Sequence, residues 1–293
     1  MSSVRTGIDI SPDAITAAQV RLNRSGWTLL HGVRMARRSG DGAVTPAEAV
    51  ELESLLFRHG FKSAPCVINA PAEALKTTTM ELPPATSGAP IDQLANAEFV
   101  QRTKLEPGTF ELSYWGLPTP GPAVQVMAVG CEIAPTDEVI GALESAGLRV
   151  AGVDDPSRAL GRVLAAAPTA ATVRVGARLE SWGVRIVVLH HSTLLYARTP
   201  AGLRLDGSQG DAEVGRRLAT EIDACIAFAR HRSRSHAPAA ISVLGAGGEQ
   251  AGIMDVLASR YQNAVAQPID GNGQAVGGRF AAAIGLALLE DLA

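Results

Sequence analysis

The sequence predicts an α/β protein built of two similar lobes, with a small α+β subdomain inserted in the first. A repeated strand pattern carries the two-lobe reading. Residues 4–10 give a short apolar strand broken by Ser11, Pro12 and Asp13, which favour turns. Residues 14–22 resume as a second strand, Asn23 to Gly26 turn the chain, and residues 27–33 return as a third. Residues 171–176, 182–190 and 193–198 repeat that layout near the middle, with turns at 177–181 and 191–192. A change of rhythm carries the insertion: residues 75–148 read strand, helix, strand, strand, helix. The expected division is a first lobe over 1–168, its insert over about 75–148, and a second lobe over 169–293.

Composition sets the limits. The chain has 293 residues, 46% hydrophobic and 19% charged, so it folds around a sizeable core. Aromatics are only 4%, which leaves the core to Val, Leu, Ile and Ala. A net charge of −3 gives no global attraction to nucleic acid or acidic lipid. Cys66, Cys131 and Cys225 are widely spaced without a Cys-x-x-Cys pair, and read as buried hydrophobes in a reducing compartment. The N-terminus has no signal-peptide pattern, and no apolar run reaches the ~18–20 residues of a membrane span. A cytoplasmic location is expected.

Past the first meander, Thr45-Pro-Ala-Glu48 has the form of a helix start, with a Thr cap, Pro at the first helical position and an acid at the third. That helix runs to about His59, and Gly60 ends it. Residues 64–70 form a buried strand. In the insert, residues 74–82 alternate as a half-exposed strand closed by Pro83-Pro84, and 91–103 form a helix. Residues 110–117 and 123–129 pair across a Pro-rich turn, 135–138 open a further helix, and 148–153 form a strand. Asp155-Pro-Ser157 starts the helix 158–166. In the second lobe, 212–231 is the longest helix, with Val214, Leu218, Ile222, Cys225 and Ile226 on one face. Strand 240–244 runs into a Gly-rich turn, helix 249–261 and a short strand 265–268 follow, and helix 280–292 closes the chain.

Leu244-Gly-Ala-Gly-Gly248 is the first candidate site. Between a strand and a helix it reads either as a tight structural turn or as backbone N–H groups offered to a nucleotide by Gly245, Gly247 and Gly248. It matches neither the dinucleotide nor the P-loop template. Asp9, at the end of a buried strand, reads either as a turn-capping acid or as the holder of a metal-bound water in a Mg-nucleotide site. The position matched to it in the second meander holds Arg174. His190 and His191 point to opposite strand faces and cannot chelate one metal. The basic run 230–236 lies at a helix C-terminus, where the dipole favours positive charge. No Ser/His/Asp or Cys/His set supports nucleophilic catalysis.

Together these segments resemble the actin-like (ASKHA) ATPase fold and, within it, the PilM family of type IV pilus assembly proteins, related to FtsA and GspL. Gly7-Ile-Asp-Ile10 is similar to the family's opening phosphate loop, and Glu81-Leu-Pro-Pro84 to its Glu-Leu-Pro. Residues 96–107 resemble its helix ending in Pro, and 142–148 with Val153-Asp154 and Ala159-Leu160 resemble its "LL..AGL…VD….AL" stretch. Residues 221–228 resemble its nucleotide-bordering helix, 244–248 its adenosine loop, and 281–288 its closing helix. The resemblance implies ATP with Mg between the lobes, Asp9 as the metal-side carboxylate, and Ser11, Gly176, Glu221, Gly245, Gly247 and Gly248 as nucleotide contacts.

It further implies a cytoplasmic scaffold, peripheral at the inner membrane. The scaffold would bind the N-terminal tail of a PilN-type bitopic protein on the insert side, in a groove between the first lobe and the insert near residues 81–107, with other platform proteins of a pilus or secretion machine and no nucleic acid. Two departures bear on turnover. Ser11-Pro12 replaces a Gly and small hydroxyl residues, and Pro12 offers no N–H. Arg174 stands where the family has Asp, and a guanidinium competes with a cation instead of holding it. The expectation is therefore a non-enzymatic scaffold with a degenerate cleft. The alternatives are an active ATPase or small-molecule kinase of the same fold, which needs an acid on the second lobe, and a GspL-like secretion domain, which would continue into a membrane span.

Overall fold

The computed structural model describes residues 3–23, 26–40, 43–118, 124–167, 169–234, 239–261, 264–265, 270 and 274–289. The first lobe begins with β1 (Ser3–Ile10), β2 (Ala14–Asn23), β3 (Gly26–Ala36), α1 (Pro46–Arg58) and β4 (Cys66–Asn69). The insert follows with β5 (Leu75–Leu82), α2 (Ile91–Thr103), β6 (Phe110–Gly116) and β7 (Val124–Glu132). The chain then returns through α3 (Ile133–Ser145), β8 (Val150–Asp154) and α4 (Pro156–Ala166). The second lobe holds β9 (Val173–Leu179), β10 (Val184–His190), β11 (Thr193–Arg198), α5 (Asp211–Ser233), β12 (Ala239–Leu244), α6 (Ala251–Arg260), β13 (Ala264–Val265) and α7 (Ala281–Ala287).

The repeat is real at the level of topology. One five-stranded sheet has the order β3-β2-β1-β4-β8 and the other β11-β10-β9-β12-β13. In each, an antiparallel meander is extended by parallel strands on the side of its first strand. The insert is a separate sheet, β5-β7-β6, closed on one face by α2 through Phe99, Phe110 and Met80.

Two expectations change. The second meander's first strand extends to Leu179 instead of stopping at Gly176, because Ala177 and Leu179 carry on the buried alternation of Val173 and Val175. Matched from their C-terminal ends, Gly7-Ile-Asp9-Ile10 therefore lies over Gly176-Ala-Arg178-Leu179. Arg178, not Arg174, is the counterpart of Asp9. The second change concerns α3, which the sequence pattern grouped with the insert. Its Val139 and Leu143 pack with Ile8, Leu52 and Ile68 in the first lobe's core.

The layer between the lobes is helical and exchanged. α4, which follows the first sheet, packs Leu160, Val163 and Leu164 with Val187 and Leu189 of the second. α7, which follows the second sheet, lies on β1, β2 and β4 of the first, and the two helices touch each other. Small residues set this spacing. A Cβ on Gly7 would overlap the Ala283 carbonyl oxygen, one on Gly285 would overlap that of Ala159, and one on Gly176 would come within 2.5 Å of Leu164. At the start of α1 the Thr45–Glu48 capping box is present as expected.

Candidate interlobe cleft and groove

β1 and β9 end side by side in the cleft, and their last turns meet. Asp9, Arg178 and Glu180 are 2%, 5% and 3% exposed. The Arg178 guanidinium lies between the two carboxylates, with Nη2 2.6 Å from Asp9 Oδ2 and Nε 3.1 Å from Glu180 Oε1. The contact to Asp9 is a charge contact without the angle of a good hydrogen bond. Burial disfavours the guanidinium's charge, but the fields of Asp9 and Glu180 outweigh it and raise the Arg178 pKa above its ordinary value. The Trp182 ring lies 5.8 Å from the guanidinium carbon. Arg185 stands opposite Arg178 in the β9–β10 register and so on the same sheet face.

The turn after β1 touches the turn after β9 directly. Ser181 Oγ donates to Asp13 Oδ2 at 2.7 Å, while Asp13 also accepts from Ser11 Oγ and pairs with Arg34. Burial would raise the Asp13 pKa, but the hydrogen bonds from Ser181 and Ser11, with the charge of Arg34, bring it below the ordinary value. The Gly-rich turn closes the same space from the second lobe. Gly245 takes φ +75°, a conformation that favours glycine, and a Cβ there would come within 2.6 Å of Glu180 Oε1. A Cβ on Gly247 would come within 2.7 Å of Leu179, and Ala246 N–H points to Glu180 Oε2 at 3.4 Å. Gly248 is buried in the same turn.

The site residues drawn from the sequence are thus partly brought together. Asp9 and the Gly245–Gly248 turn meet around Arg178 and Glu180. Ser11 Oγ donates within its own turn, to Asp13 and to the Ala14 carbonyl. Gly176 faces α4. Glu221 lies on α5, which packs on the other face of the β9–β10 sheet, and pairs with Arg198 at 3.0 Å. Arg174 is not in the cleft: its guanidinium donates to the Leu164, Ala165 and Ala167 carbonyls at the end of α4. Arg178, Glu180 and Ser181 were missed. Their signal was charge within an apolar strand, Ala-Arg-Leu-Glu, hidden because the pattern ends the strand at Gly176 and sets Arg174, four positions before Arg178, opposite Asp9.

The residues present do not fit a metal-bound nucleotide. The carboxylate that would face the metal is held by a cation of the chain itself, and the two turns that would flank the phosphates are hydrogen-bonded to each other. Among the described residues, no group of three or more His, Cys, Asp or Glu side chains is placed to hold a metal ion.

A second concavity, of about 610 Å³, runs between the insert and the first lobe. Leu75, Leu112 and Val129 come from the insert, and Ile133, Ile140 and Val153 from α3 and β8. Its lining also holds Glu111, Glu132, Asp137, Asp155 and the buried Asp154, against one arginine, Arg158. Asp154 is paired with Arg162, and Asp155 caps α4 through the Ser157 N–H at 2.8 Å. Burial pushes the Asp155 carboxyl above its ordinary range. No residue of 81–107 lines this groove.

A solved PilM–PilN type IV pilus biogenesis complex matches with a TM-score of 0.73 over 97% of this chain and 97% of that one, at 20% identity. Its fold is PilM-like. The ethanolamine utilization protein EutJ from Carboxydothermus hydrogenoformans matches at TM-score 0.52 and 13% identity, over 98% of this chain and 90% of the other. The activator of 2-hydroxyisocaproyl-CoA dehydratase from Clostridium difficile, solved with bound ADPNP, matches at 0.50 and 10% identity, over 98% and 93%. The actin-like, two-lobed fold predicted from the sequence is therefore the fold of this chain. No protein-family model matches it, and no curated protein matches its sequence. Among the described residues, no helix is long and apolar enough to cross a membrane.

Proposed function

We propose that this PilM-like chain is a scaffold of a type IV pilus or related secretion platform. It docks the N-terminal tail of a PilN-type membrane protein and does not hydrolyse nucleotide. The observation that carries the reading is the end-to-end match to the PilM–PilN complex, over 97% of this chain and 97% of the matched one. The groove between the insert and the first lobe supports it. An apolar lining with Glu111, Glu132 and Asp137 beside it suits an extended tail that is both apolar and basic, and cytoplasmic flanks of membrane spans are enriched in Lys and Arg. Through that tail the scaffold sits at the inner membrane from the cytoplasmic side, beside other platform proteins. The insert on one side and α3 with β8 on the other give the tail a wall on each side.

The nucleotide-using alternative has one observation in its favour, the likeness to an activator solved with bound ADPNP. Against it stand Arg178 on Asp9 and the joined turns. Phosphoryl transfer depends on charge neutralisation by a positioned metal, and a guanidinium already fills that role here. Fluorescence anisotropy with a labelled peptide of a PilN-type tail from the same genome tests the docking. Binding is expected to be lost in Ile140→Arg, which places a cation on the groove floor, and kept in Phe57→Ser, on an exposed face of α1. Equal binding by both variants would remove this groove from the account.

A further inference from the structure

We propose that the Arg178 guanidinium is a built-in cation, standing where a divalent metal would, which clamps Asp9 of the first lobe to Glu180 of the second. Removing its charge should expose a divalent-cation site between those carboxylates. The inference rests on the reading that the cleft does not turn over nucleotide, but not on docking in the groove.

Three charges are buried together, two acids around one arginine. Buried carboxylates on two different lobes need a shared counterion to stay ionised side by side. Arg178 serves both at once, so its charge joins the lobes as well as neutralising them. Arg185, on the same sheet face, lies within the field of Asp9, but among the described residues it makes no ion pair with Asp9 or Glu180 at hydrogen-bond distance; Arg34 pairs with Asp13, Arg37 with Glu48 and Arg162 with Asp154. The surroundings keep the clamp closed. Gly245 leaves room for the Glu180 carboxylate, and Ser181 and Asp13 join the turns on the solvent side. The insert adds ties further out, where Trp115 Nε1 donates to the Leu194 carbonyl at 2.8 Å and Arg232 to Gln125. A protein that holds its lobes in this way has no need of nucleotide to set their angle.

Without the guanidinium, Asp9 and Glu180 are two buried carboxylates with no ion-pair partner in direct contact, and Arg185 acts on Asp9 only through its field. Hard divalent cations take carboxylate oxygens and keep water in their remaining positions. The test compares thermal unfolding of the full chain, Arg178→Met, and the triple variant D9N/R178M/E180Q, each with and without millimolar MnCl₂. The full chain and the triple variant should be indifferent to Mn²⁺. Arg178→Met should unfold at lower temperature alone and rise by several degrees with Mn²⁺, since a ligand bound only to the folded state raises its melting point. If Arg178→Met folds only when Mn²⁺ is present, that rescue supports the clamp equally. A folded Arg178→Met that ignores Mn²⁺, or one that Mn²⁺ fails to rescue while the triple variant folds, would overturn it. Mg-ATP is titrated into the full chain in parallel. Uptake there would overturn the prior reading of the cleft, a result distinct from failure of the Mn²⁺ arm.

Discussion

Single side chains in this molecule do different work from what their positions in the sequence suggest, and Arg174 is the clearest case. Its guanidinium gathers the carbonyls left open at the end of α4. Arg174→Ala should therefore lower unfolding free energy by about 1–2 kcal/mol in a urea titration, without altering the cleft. Glu48 makes a second prediction. Burial alone would raise its pKa, but hydrogen bonds from the Thr45 backbone and from Arg37 and Ser39 lower it from 4.5 to about 2. The folded value lies below the unfolded one, so the ionised form favours the fold. That contribution is complete above about pH 4.5 and disappears as pH falls toward about 2. Glu48→Gln should remove on the order of 2–3 kcal/mol at pH 7 and flatten the acid limb of stability against pH.

At the scale of elements, the crossing of α4 and α7 between two sheets depends on glycines with no space for a side chain. Gly7→Ala forces a methyl group into the Ala283 carbonyl and should cost several kcal/mol, of order 3 or more, read as a fall in melting temperature. Gly141, exposed in the interior of α3 with nothing within 4 Å, is its control: Gly141→Ala should be neutral or stabilise by up to about 1 kcal/mol. These elements also show what the sequence made legible. Turn residues and period-two runs marked both meanders, and the Thr45 cap marked the start of α1, because each depends on local backbone chemistry. The pairing of Asp9 with Arg178 was not legible. It joins strands 169 positions apart, and the second strand's end was obscured by Ala177-Arg178-Leu179-Glu180, whose charges read as a turn when they are buried between lobes. A groove between the first lobe and the insert was legible, but not its residues: the expected stretch 81–107 contributes none, and α3, β8, β6 and β7 line it, a meeting that only tertiary packing decides.

The whole molecule combines two lobes of common topology, an insert bridging them, and a cleft between them closed by charge. On the proposed reading, this closure presents the groove in one fixed form. If so, a PilN-type tail docks on this fixed form without help from nucleotide. Calorimetric titration of the tail peptide into the full chain, once in buffer and once in millimolar Mg-ATP, tests it most directly. Binding with the same affinity, within a factor of about two (under ~0.5 kcal/mol), is expected in both titrations. A tail that binds only with Mg-ATP present, or whose affinity changes tenfold on its addition, would contradict it.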